Sequence, residues 1–232
     1  MQAYILCGGS GTRLQSVLKG GQKALVDVQG RPFLALVLEQ LHQAGVDRAI
    51  LCAHYRADQL AGTLPSLAES SEVSLELVVE PQPMGTGGAL LFALSKTSPD
   101  QRYLVLNADT FLPARAYGAL AAHNREGVVL VTRVADCGRY GGLELDGDGL
   151  VLALHEKNRV GPGLVSAGAY CFSHAVWSDH VVRACSMERD LLPGLIRRKQ
   201  LFAHTHEGTF IDIGIPEALD QFKQMIVSGE AL

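Results

Sequence analysis

No Cys-x-x-Cys pair occurs in this chain, and its five cysteines, Cys7, Cys52, Cys137, Cys171 and Cys185, are odd in number and widely scattered. That pattern excludes a disulfide framework and a zinc knuckle and reads as free thiols. There is no His-Glu-x-x-His helix either. His204 and His206 are the one close histidine pair, and on a strand their alternate spacing puts both on one face, expected to be solvated. Long apolar runs are missing: Phe33 to Leu38 and Ala89 to Leu94 are far too short to span a bilayer, and Met1-Gln2-Ala3-Tyr4 opens a strand-like segment without a basic leader. A cytoplasmic protein with no membrane partner is the expectation. Positive charge is not in excess, since 20 Lys+Arg stand against 24 Asp+Glu for a formal net charge of -4. The cations are spread along the chain, which excludes the basic footprint of a nucleic-acid partner. No linker rich in Pro, Ser or charge and no internal repeat is found.

What is present is a chain of 232 residues, 47% hydrophobic, enough for a sizeable core in one α/β domain. Tyr4-Ile5-Leu6-Cys7 is a short apolar run that stops at Gly8-Gly9, a buried strand emptying into a glycine loop. Phe33 to Ala44 shows a helical stripe that begins after Pro32 and ends at Gly45. Strands are then expected at 48–53, 75–79, 103–107 and 128–134, with helices at about 88–95 and 114–125. This βαβ series winds a mostly parallel sheet with helices on both faces, and ligands of such sheets bind beyond the carboxyl ends of the strands. Past Arg139 a hairpin turning at Gly147-Asp148-Gly149 breaks the order. A strand at 165–172, a helix near 189–198, short strands around Phe202 and Phe210, and a helix at 216–227 follow.

Four segments carry chemistry. The first loop reads Gly8-Gly9-Ser10-Gly11-Thr12-Arg13-Leu14, with Lys23 further on. A dinucleotide fingerprint needs Gly or Ala where Leu14 stands, and a Walker loop needs Gly-Lys-Ser/Thr at the helix start, so both fail. What survives is anion cradling, with close backbone N–H groups and the charges of Arg13 and Lys23. An oxidoreductase would also need an acidic ribose partner where the chain has Ala53-His54. The second segment, Glu80-Pro81-Gln82-Pro83-Met84-Gly85-Thr86-Gly87-Gly88-Ala89, has a rigid entry and glycines that open the backbone to a flat ring. Glu80 is an acceptor able to take two hydrogen bonds from the N1–H and exocyclic amine of guanine, which favours GTP. The third, Asn107-Ala108-Asp109, ends a very apolar strand, where a carboxylate facing a phosphate cradle is placed to hold Mg²⁺, and Asp212 repeats the design. The fourth is Glu156-Lys157 with Ser166-Ala167-Gly168 and Arg139-Tyr140-Gly141-Gly142, suited to a second substrate's phosphate and hydroxyls.

In this order the segments resemble the sugar-phosphate nucleotidylyltransferase family, over nearly the whole chain, including Asp-x-Gly-x-Pro-Glu at Asp212 to Glu217. The Cys7-Gly8-Gly9 opening, Gly30 to Leu34 and Met84 to Ala89 look most like its heptose 1-phosphate guanylyltransferases. The resemblance implies a Rossmann-like, GT-A-like three-layer α/β/α fold with a mixed, mostly parallel sheet in one domain. Its nucleotide-binding part would be about 1–135 and its sugar-phosphate part about 136–232. It implies that Leu6, Gly8, Gly9, Ser10, Gly11, Thr12, Arg13, Lys23, Glu80, Gly85, Thr86, Asn107 and Asp109 bind the nucleotide. Tyr140, Gly141, Glu156, Lys157, Ser166 and Gly168 would bind the sugar phosphate, with Asp109 and Asp212 on Mg²⁺. Arg13, Lys23, Asp109, Lys157 and Asp212 would be the catalytic set, and the partners a nucleoside triphosphate and a sugar 1-phosphate, with a homo-oligomer allowed. The chain departs from the family pattern at Gln22, where proline commonly precedes the lysine, and at Ala108, where glycine is commoner. A thymidylyl- or uridylyltransferase acting on a hexose 1-phosphate, and a nucleotide-sugar-sensing module without catalysis, stay open.

Overall fold

The computed structural model describes residues 1–155 and 160–230. Its strands are β1 (Gln2–Leu6), β2 (Asp27–Val28), β3 (Arg31–Pro32), β4 (Arg48–Ala53), β5 (Ser74–Val79), β6 (Arg102–Asn107), β7 (Thr110–Phe111), β8 (Gly127–Val134), β9 (Leu143–Leu145), β10 (Val151–Leu154), β11 (Gly163–Ser173), β12 (Leu201–His206) and β13 (Ile211–Asp212). Its α-helices are α1 (Gln15–Leu18), α2 (Phe33–Gln43), α3 (Ala57–Ser71), α4 (Gly85–Lys96), α5 (Ala114–Ala121), α6 (Leu192–Arg197) and α7 (Pro216–Ser228).

Seven strands form the central sheet in the order β12-β8-β11-β6-β1-β4-β5. β11 is antiparallel to both neighbours, β6 and β8, and the remaining pairs are parallel. The sheet is mixed and mostly parallel, as the alternation of elements predicts. Alternate residues of each central strand enter different cores, which is the physical content of three layers. Ala3 and Ile5 of β1, Leu104 and Leu106 of β6, and Ala49 and Leu51 of β4 pack with Phe33 and Leu38 of α2, Leu60 of α3, Leu120 of α5 and Phe222 of α7. Tyr4, Tyr103, Val105, Ile50 and Cys52 turn the other way, toward Leu90 and Leu91 of α4 and Leu195 of α6. All five cysteines are buried and unpaired.

Several expectations need correction. The sequence pattern yields no element between Ala53 and Leu75, yet α3, 15 residues long, fills that stretch. Its buried contacts, Leu60, Leu67 and Ser71, are sparse, and Pro65 inside it reads as a breaker. α4 starts at Gly85 rather than near 88, and α5 ends at Ala121 rather than near 125. A π-helical turn, Met187–Leu191, occupies the start of the segment expected to open α6. The hairpin β9–β10 forms around Asp146, whose Oδ1 accepts from the N–H groups of Asp148 and Leu150 at 2.9 and 2.8 Å. His204 and His206 do not form a solvated face. His206 is 7% exposed with Nε2 3.1 Å from the Thr209 carbonyl, and His204 Nδ1 lies 2.9 Å from Nε2 of His123. No described helix is long and apolar enough to cross a membrane.

Candidate active site

Because β1, β4, β5 and β6 run parallel, the loops that leave their carboxyl ends open on one edge of the sheet. A cavity of about 1080 Å³ lies there, and its lining draws Arg13, Thr86, Asn107, Asp109, Tyr140, Gly141, Ser166, Gly168 and Asp212 into one space. These come from both the nucleotide half and the sugar-phosphate half that the resemblance implies. Glu156 and Lys157 lie outside the described residues.

The two aspartates meet through a pair of very short strands. β13 pairs antiparallel with β7, so that Asp212 stands opposite Thr110, and the Ile213 N–H donates to the Asp109 carbonyl at 3.0 Å. Each carboxylate has its own cation. Lys23 Nζ is 2.5 Å from Asp109 Oδ2, and Arg139 Nη2 is 3.5 Å from Asp212 Oδ2. Asp212 Oδ1 accepts from the Gly214 N–H at 2.7 Å.

Gln22 compensates for the missing proline before Lys23. It is 2% exposed, its Oε1 caps the 3₁₀ turn Lys23–Leu25 by accepting from the Ala24 N–H at 2.8 Å, and its Nε2 donates to the carbonyls of Cys7 at 2.7 Å and Tyr55 at 3.2 Å. A rigid ring is thus replaced by three hydrogen bonds that tie Lys23 to the end of β1.

The first loop is mostly exposed. Gly9, Ser10, Thr12 and Arg13 face outward, and Gly11, at φ 61°, turns the chain into the 3₁₀ turn Thr12–Leu14. Leu6, Gly8, Gly9, Ser10, Gly11, Thr12, Glu80 and Gly85 are not part of the cavity's lining, and Lys23 reaches it through Asp109. Gly8 instead faces Glu80: a Cβ there would sit 2.7 Å from Glu80 Oε1. Glu80 is 5% exposed, so it is no surface charge. Its Oε2 accepts from the Met84 N–H at 2.9 Å, and Oε1 lacks a partner among the described residues. Burial raises its pKa, against the Met84 hydrogen bond and the nearby His54.

The glycines after Glu80 do not open a loop to a ring. Gly87 and Gly88 are buried in the first turn of α4, where their N–H groups both donate to the Cys185 carbonyl at 3.0 Å. Gly85 is exposed, with a positive φ and with the Cys185 carbonyl 2.7 Å from where its Cβ would be.

On the opposite wall, Gly168 has φ +68°, and a Cβ there would approach Asn107 Nδ2 to 2.6 Å. Only glycine fits between β11 and the end of β6. The Ser166 hydroxyl accepts from the Gly168 N–H at 3.1 Å and donates to Tyr170 Oη at 3.2 Å, so it shapes the wall. Tyr140 packs against Phe210 at 5.7 Å, and its phenol pKa is raised by burial first and by Asp212 next. The cavity also takes Ser186, Glu188, Arg189 and Arg197, which the sequence reading missed. Glu188 Oε2 accepts from Ser186 at 3.0 Å and Thr86 at 3.3 Å. Ser186 caps a π-helical turn that carries Glu188 and Arg189, and Arg197 lies on α6, with no glycine loop to announce them. Arg139 was singled out only as part of a motif.

Among the described residues no group of three or more His, Cys, Asp or Glu side chains is placed to hold a metal. Two adjacent carboxylates do suit a hard cation that takes its other oxygens from phosphates.

Comparison with known proteins agrees with this architecture. The nucleotidyl transferase family model matches residues 2–228. D-glycero-alpha-D-manno-heptose 1-phosphate guanylyltransferase of Campylobacter jejuni is 30% identical over 217 residues, 94% of this chain and 96% of that protein. Mannose-1-phosphate guanylyltransferase catalytic subunit beta of Drosophila pseudoobscura pseudoobscura is 33% identical over 93% of this chain, which spans only 60% of that relative's length. The crystal structure of HddC from Yersinia pseudotuberculosis complexed with GMP-PN superposes with a TM-score of 0.83 at 32% identity, covering 97% of this chain and 99% of that one. The chain belongs to the nucleotidyl transferase family.

Proposed function

We propose that this protein transfers GMP from GTP to a sugar 1-phosphate, with D-glycero-α-D-manno-heptose 1-phosphate as the first choice of acceptor, and releases pyrophosphate. The observation that carries the reading is the meeting of Asp109 and Asp212 on one cavity wall, each against a cation. The guanylyltransferase names and the GMP-PN complex of its relatives support GTP. So does Glu80 Oε1, a buried acceptor beside Gly8 that suits the N1–H and exocyclic amine of guanine.

The acceptor phosphate is ionised near neutral pH and needs no general base to attack the α-phosphorus. The work of the residues is positioning and charge neutralisation between two anions. Arg13 and Lys23 would hold the triphosphate, with Gly8 to Thr12, Leu6, Gly85, Thr86 and Asn107 around the nucleotide. Tyr140, Gly141, Ser166 and Gly168, together with Glu156 and Lys157, would hold the sugar phosphate. Asp109 and Asp212 would hold Mg²⁺, which when bound supplies Lewis-acid charge at the phosphates. The nucleotide part, about 1–135, and the sugar-phosphate part, about 136–232, act as one unit in this reading.

A matrix of GTP, ATP, UTP and dTTP against heptose, mannose and glucose 1-phosphates, scored by pyrophosphate release in Mg²⁺ with and without chelator, tests the proposal. Release with GTP and a manno-configured acceptor, abolished by chelation, is expected. Activity confined to dTTP or UTP would reassign Glu80, and no release from any pair would leave a sensing module.

A further inference from the structure

Arg139 lies between β8 and β9, beside Tyr140 and Gly141, and lines the cavity. Its Nη2 is 3.5 Å from Asp212 Oδ2, while its Nε and Nη2 are buried without a hydrogen-bond partner among the described residues. A guanidinium is a fixed fork of donors made for two oxygens of one oxyanion. Here the fork has a charge partner nearby, yet two of its donors are unbonded. Arg13 comes close to the neighbouring Gly214. Its Nη2 is 3.5 Å from the Cβ position of Gly214, whose N–H holds Asp212 Oδ1. Two arginines thus come near Asp212, Arg139 paired with its Oδ2 from the segment that carries Tyr140 and Arg13 close to Gly214 from the glycine loop after β1.

We propose that Arg139 binds the phosphate of the acceptor sugar 1-phosphate, leaving Arg13 and Lys23 to the nucleoside triphosphate. The inference rests on the function proposed above and assigns its cations to opposite substrates. Two anions must meet in line at the α-phosphorus, and each needs its own positive group to offset repulsion on approach. Arg139 shares the cavity with Arg13, Arg189 and Arg197, and of these it is the one paired with Asp212 among the described residues. Its charge stands beside Asp212, one of the two aspartates that would hold Mg²⁺.

The test uses the full chain with R139M, which keeps length and removes charge, and R139K, which keeps charge and loses the fork. Steady-state rates are read against each substrate, and heptose 1-phosphate is titrated calorimetrically into protein preloaded with the α,β-methylene analogue of GTP, in which the bond that breaks is replaced and no turnover occurs. R139M is expected to raise the acceptor KM and weaken calorimetric binding about tenfold or more, the scale of a hydrogen bond to a charged group. The GTP KM should stay within about twofold, and R139K should recover part of the loss. Equal changes in both KM values, or an unchanged acceptor KM, overturns the assignment, and a melting temperature measured alongside separates a purely structural loss. A wild-type protein inactive with every pair would instead remove the proposed function, and this inference with it.

Discussion

Glu80 shows how much a single side chain's surroundings add to its identity. As a Glu at a strand end it reads as an acceptor, and the structure keeps that chemistry while changing its terms: one oxygen is committed to the Met84 N–H and the other faces Gly8 in a buried site. Burial raises the pKa, so the protonated form is favoured, and the acceptor is lost on acidification at a higher pH than for an ordinary Glu. GTP binding by the wild type should therefore weaken on acidification more steeply than that of E80Q, whose amide does not titrate, and from a pH above the ordinary carboxylate range. Calorimetric GTP titrations of both proteins from neutral to acidic pH check this, since the phosphate's own titration is common to the two. Parallel curves would show that Glu80 does not meet the base. Gln22 carries the complementary lesson. Its departure from proline is visible in sequence, but the three hydrogen bonds that make the departure harmless join Cys7, Ala24 and Tyr55 across the fold, and no local pattern encodes them.

At the scale of elements, strands and helices that bury a continuous stripe were legible, because period and burial coincide. β4, apolar from Ala49 to Ala53, and α2, with its buried face, fall where the pattern puts them. α3 was not legible, as its mixed small and polar residues and Pro65 blur the stripe. The glycines of α4 were legible as a demand for close approach but not as to what approaches. Their partner is the chain's own 183–187 segment, whose Cys185 carbonyl takes N–H groups that the first turn of a helix leaves open. A Cβ on Gly88 would lie 2.5 Å from the Arg183 carbonyl and 3.2 Å from Ala184 Cα, both backbone atoms that cannot swing aside. Gly88→Ala should cost about 1 to 3 kcal/mol by overpacking. Gly147→Ala, with nothing within 4 Å of its Cβ, should stay within about 0.5 kcal/mol. Urea midpoints of the two variants measure the contrast, and an unchanged midpoint for Gly88→Ala would mean that the segment yields freely.

For the whole molecule, the alternation of elements announced a mostly parallel sheet, whereas the order of strands was hidden, because it depends on pairings between distant segments. β11, far along the chain, enters between β6 and β8 and runs against both, and β12 then covers the outer edge of β8. Both of β8's neighbours therefore come from beyond residue 135, although β8 itself ends at Val134. The last helix closes the other layer, with Phe222 against Phe33 at 5.4 Å and Phe111 at 4.8 Å. The cavity has the same dependence, since Asp109 meets Asp212 only when β13 pairs with β7. A fragment of residues 1–135 would thus carry a strand with no partner on either side and an uncovered apolar face on α2, and edges of that kind do not persist alone in water. It should show no cooperative unfolding transition in urea and should bind a hydrophobic dye, while the full chain unfolds in one transition. A sharp transition in the fragment would mean that β5-β4-β1-β6 with its helices is a folding unit by itself. The first 135 residues would then be separable from the part that completes the aspartate pair.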